Sequence, residues 1–84
     1  MRVIGEIPHA KCKITLFQWN EKYLIKLERG PFEQTFKISE FDLTGEEDLK
    51  LLTDDQFIEE ATLRFDEMYK SLNTAFEKKL YTAF

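Results

Sequence analysis

The 84-residue chain holds one cysteine and one histidine, so it can build neither an internal disulfide nor a Cys/His metal cluster. Its three glycines and two prolines are too few for a collagen-like or low-complexity chain. Gly-rich phosphate loops and Gly-x-Ser-x-Gly turns are absent. No uninterrupted apolar run approaches the roughly 20 residues of a transmembrane helix. The opening stretch from Met1 meets a charge at Glu6, so no signal-peptide core is expected there. The expected setting is therefore soluble and cytoplasmic, with no membrane partner and no cofactor. What is present is 43% hydrophobic and 33% charged residues, the composition of one folded domain over residues 1–84 held by its hydrophobic core alone.

Charge is unevenly spread. Residues 1–41 carry a net +2 and residues 42–84 a net −6. A chain of net −4 cannot hold nucleic acid through its overall field, because phosphate contacts dominate that affinity. Only a locally basic face could do so.

From Lys11 to Ile38 the hydrophobic period is two. Cys12, Ile14 and Leu16 fall on one face, followed by Tyr23, Ile25 and Leu27, then Phe32, Gln34, Phe36 and Ile38. Asn20-Glu21-Lys22 and Gly30-Pro31 separate these runs as turns. The pattern predicts strands over about 10–19, 22–29 and 32–39, with a fourth over about 2–7 ended by Pro8. Together they form an antiparallel meander of three to four strands with one buried face and one wet face.

After Phe41 the period becomes helical. Thr44-Gly45-Glu46-Glu47 and Thr53-Asp54-Asp55-Gln56 both have capping-box spacing, predicting helices over about 45–51 and 54–81 with the two threonines as caps. In the second helix Phe57, Ile58, Ala61, Phe65, Met68, Leu72 and Phe76 recur at helical steps. The fold class is therefore α+β, an antiparallel meander followed by a short helix and one long C-terminal helix packed on one sheet face. A helix over 54–81 is about 42 Å long, whereas an eight-residue strand spans about 27 Å. Its end must overhang. Phe57 to Phe65 are expected on the sheet, and Met68, Leu72, Phe76, Leu80, Tyr81 and Phe84 are the candidate contacts of a homodimer.

The outward face of the meander should carry Lys11, Lys13, Thr15, Phe17 and Trp19, beside Leu24, Lys26, Glu28, Thr35 and Lys37. Aromatic rings among lysines on an open sheet hold single-stranded nucleic acid, bases stacking while ammonium groups meet phosphates. The candidate nucleic-acid residues are Lys11, Lys13, Phe17, Trp19, Lys26 and Lys37. The bland alternative is that Lys and Thr solvate the face while a bulge turns Phe17 and Trp19 inward. Strand–strand–strand–strand–helix resembles the topology of the PUR repeat. That resemblance is one of element order, with no sequence motif of the repeat matched, so no residue role follows from it.

His9 and Cys12 could be read as a base and a nucleophile, but Cys12 falls on the apolar face of a strand and reads better as core. The acids Glu46, Glu47, Asp48, Asp54, Asp55, Glu59 and Glu60 lack the Asp-x-Asp-x-Asp-Gly pattern of a calcium loop, and their place in the first turns of helices follows from the helix dipole. The expected function is that of a small non-enzymatic interaction module that self-associates, with single-stranded nucleic-acid binding as the alternative.

Overall fold

The computed structural model describes the backbone of residues 1–82 and the side chains of residues 1–79. Strands β1 (Arg2–Ile7), β2 (Lys13–Trp19), β3 (Lys22–Arg29) and β4 (Phe32–Ser39) form one sheet in the order β1-β2-β3-β4, every neighbouring pair antiparallel. A 3-10 turn (Glu40–Asp42), helix α1 (Glu47–Leu52) and helix α2 (Asp55–Thr82) follow. This is the expected α+β meander with all four strands present.

Turn chemistry sets the register. Between β2 and β3, Asn20 (φ 53°) and Glu21 (φ 63°) both adopt positive φ, the condition for a two-residue type I′ loop whose twist suits a hairpin. Asparagine tolerates this region and glutamate does so less readily. The Glu21 carbonyl accepts the Glu40 N–H at 3.0 Å, which ties the turn to the chain leaving β4. Gly30 opens the next turn at φ 59°, where the missing Cβ removes the strain. In β1 the register shifts between Val3 and Gly5, leaving Ile4 as an extra residue in a bulge.

The second strand begins at Lys13 and not at residue 10. Pro8 has no N–H to give a ladder, and the His9 ring accepts the Lys11 N–H at 3.1 Å, so residues 10–12 bend out of the sheet. Cys12 still turns inward and is buried.

The inner face packs Ile14, Leu16, Tyr23, Ile25 and Leu27 against Leu49 of α1 and against Ile58, Ala61 and Phe65 of α2. As α2 advances, its partners on β4 step backwards: Phe57 meets the Phe36 ring edge-on at 5.0 Å, the Ala61 carbonyl accepts the Gln34 amide at 2.9 Å, and Tyr69 meets Phe32 at 6.1 Å. The helix thus runs antiparallel to β4 and leaves the sheet beyond the turn at Gly30-Pro31. Arg29 fastens that exit, with its guanidinium 5.4 Å from the Phe65 ring centre and 2.7 Å from the Asp66 carboxylate.

Both expected caps are relocated. The carboxylate of Asp48, not of Glu47, accepts the Thr44 N–H and hydroxyl, each at 2.8 Å, so α1 starts at Glu47 with no side-chain cap. Thr53 ends α1 instead of opening α2: its hydroxyl donates to the Leu49 carbonyl at 2.8 Å. Asp54 is the cap of α2, its carboxylate accepting the Phe57 N–H at 2.9 Å. Two cap-forming residues stand side by side, and the buried threonine serves the helix behind it.

Asp54→Ala should therefore lower stability by about 1 kcal/mol in urea unfolding, a larger loss than Thr44→Ala causes. The Thr44 N–H and hydroxyl hold the Asp48 carboxyl below its ordinary value of 3.8. A lowered folded value stabilises the fold at pH above the unfolded value and ceases to do so as pH falls through the folded one. The stability gap between the native chain and Asp48→Ala should be open at neutral pH and narrow below pH 3.8, as read from urea midpoints across pH.

Candidate functional site

On the outer face the register brings together most of the residues read from the sequence. Val3, Phe17, Leu24 and Lys37 stand opposite one another across the four strands, and in the next row Trp19 pairs with Lys22, which pairs in turn with Ser39. The bulge lies in β1, whereas β2 pairs with β3 without a register shift, and Trp19 stands 48% exposed with Phe17 half-buried beside it. Leu24 and Thr15 are buried even on this side, so the centre of the face is dry and the lysines stand around it.

Lys11 does not belong to this face. It precedes β2 and reaches Glu59 of α2, with its ammonium 3.1 Å from the carboxylate. Lys26 is on the face but is engaged by Glu33 at 3.5 Å and Glu28 at 4.0 Å. Lys13 pairs in register with Glu28 at the far end, away from the aromatics. Lys22, which the sequence places in the turn, opens β3 opposite Trp19 and faces outward in phase with Leu24 and Lys26. The bend at residues 10–12, by contrast, had no periodic signal.

The second candidate surface is the overhang. Met68 packs against the core and so belongs largely to its own chain, extending the seated part of the stripe beyond Phe65. Tyr69, Leu72 and Phe76 are 56%, 37% and 55% exposed. Leu80 and Tyr81 lie within α2, but their side chains, like all of Phe84, lie outside the described residues. A groove of about 610 Å³ runs under this part of the helix, with Phe32, Met68 and Leu72 as its apolar lining and Arg64 at its side. Arg64 is held there, its Nε donating to the Gln34 side-chain Oε1 at 2.8 Å, its guanidinium 5.8 Å from the Phe36 ring centre.

His9 and Cys12 line one open hollow of about 390 Å³ at the bend before β2, together with Glu6 and Lys13. His9 faces its own loop, and Cys12 is buried, with burial pushing its thiol above the ordinary value against a smaller opposing pull from Arg29. Among the described residues, no three His, Cys, Asp or Glu side chains gather into a metal site. No helix among those residues is long and apolar enough to cross a membrane. A raised thiol value means little thiolate at neutral pH. Cys12 in the native chain should therefore be alkylated by iodoacetamide at pH 8 much more slowly than free cysteine, and at the free rate once unfolded in urea; equal native and unfolded rates would show an exposed thiolate.

No protein-family model, curated protein or solved structure matches this chain.

Proposed function

We propose that this chain is a small non-enzymatic interaction protein that pairs with a second copy of itself through the C-terminal half of α2. One observation carries the reading: the apolar stripe that seats α2 continues, in register, past the end of the sheet. The steps from Ile58 through Ala61, Phe65 and Met68 lead on to Leu72 and Phe76 at the same three- and four-residue spacing. The first four are buried or half-buried and the last two are exposed. A 28-residue helix is about 42 Å long, against about 27 Å for the longest strands, and the molecule extends 56 Å along its principal axis.

A second copy is the occupant that matches this stripe. Two overhangs laid antiparallel about a two-fold axis present identical patches to each other, so one stripe covers both. Each large apolar side chain buried contributes roughly 1.5–3 kcal/mol, and the loss of free motion on association costs several, which places the affinity near micromolar.

Sedimentation equilibrium at tens of micromolar should give twice the 10.0 kDa chain mass. The double substitution Leu72→Ser with Phe76→Ser should give a monomer whose far-UV helicity is largely kept, because neither residue belongs to the buried core. A wild type that runs at 10.0 kDa at these concentrations would overturn self-pairing.

A further inference from the structure

The outer face of the sheet sorts its charges by row. In the rows furthest from the Asn20-Glu21 turn, Glu28 and Glu33 stand directly opposite each other and both engage Lys26. Like charges so placed repel, and the lysine between them relieves it. The two rows nearest the turn, Trp19–Lys22–Ser39 and Val3–Phe17–Leu24–Lys37, contain no acid. Among the described residues neither Lys22 nor Lys37 has a carboxylate within ion-pair distance. The closest acid along the chain is Glu21, in the turn itself. Beside Lys37 lies a hollow of about 260 Å³ lined by Phe17, Trp19 and Leu24, which reaches at its other end the Lys26–Glu33 pair, where the one acid of its lining is already engaged. It is smaller than the roughly 300–1,000 Å³ of pockets that enclose a drug-sized ligand, so it suits one ring laid on an open face and not an engulfed molecule.

We propose that this end of the sheet binds single-stranded nucleic acid, one base stacking on Trp19 over the hollow while the flanking phosphates meet Lys22 and Lys37. Both ammonium groups stand on the β3–β4 side of the ring: Lys22 is directly opposite Trp19, and Lys37 is two strands from Phe17, about 10 Å at the usual strand spacing. The half-exposed indole decides the ligand class. An acidic peptide would use the lysines and leave the ring unused, whereas a nucleotide uses both chemistries at this separation. Duplex bases are stacked within their own helix and cannot reach the ring, so the strand is single. The net charge of −4 opposes a polyanion, so affinity comes from this patch alone and from two or three phosphates. This site is separate from the α2 overhang and does not rest on self-pairing.

The chain has a single tryptophan, so its intrinsic fluorescence reports this site directly. Titration with an oligothymidylate of about ten nucleotides should quench Trp19, and binding should weaken roughly tenfold between about 50 and 200 mM salt, the slope for two or three phosphates. With a fluorescein-labelled oligonucleotide read by anisotropy, Trp19→Leu should bind at least about fivefold more weakly. Lys22→Gln with Lys37→Gln, both on the exposed face and expected to fold normally, should flatten the salt dependence. The proposal is overturned by absence of quenching and anisotropy change at about 50 mM salt, by binding that ignores salt, or by unchanged binding in the variants. Displacement of the oligonucleotide by polyglutamate at equal charge concentration would also overturn it and would mark the patch as a seat for an acidic polypeptide.

Discussion

Phe65 sits at the contact on which the rest of this geometry depends. It is fully buried among Ile14, Leu16, Ile25 and Leu27 on the sheet and Ile58 and Ala61 on its own helix, and Arg29 lies across its ring. A ring held this tightly fixes the axial position of α2, and the partners on either side, Phe36 with Phe57 and Phe32 with Tyr69, fix its direction. Because the helix is longer than the strands, seating its first half along β4 leaves the second half beyond the sheet. The overhang is a result of where Phe65 is placed and of the absence of any proline or glycine after Gly45 to stop the helix.

The two sides of the sheet carry different chemistry as a result. The inner side is consumed by packing. The outer side keeps a dry centre at Thr15 and Leu24 without any helix above it, and its charged residues are divided between an internally neutralised end and an uncompensated one. A single small fold thereby presents an apolar helical surface at one end and a cationic aromatic surface on the opposite side of its sheet.

Much of this was legible in the sequence because both periodicities are clean. The alternation in Cys12, Ile14 and Leu16, and again in Tyr23, Ile25 and Leu27, leaves one choice of buried face. The three- and four-residue steps of α2 do the same. What could not be read was local competition. Thr53 and Asp54 are both good caps, and only the buried position of Thr53 over the end of α1 decides between them. Lys11 looked like a strand residue because it alternates with Cys12 and Lys13, but the His9 ring removes its N–H from the ladder and Glu59, 48 residues later, captures its ammonium. Alternation alone points Lys26 outward with the other lysines, but its contacts with Glu28 and Glu33 depend on hairpin register, which alternation does not supply.

The bulge in β1 also governs what the sheet can become. A four-stranded open sheet ends in two edges, and a flat edge invites another chain to add a strand. With Ile4 as an extra residue between Val3 and Gly5, the β1 backbone bends locally and interrupts the even spacing of its outward N–H and C=O groups. Arg2 and Glu6 place charges along the same short strand. An incoming strand would meet a kinked template flanked by charge, so β1 closes the sheet on its side and guards against fibrous assembly.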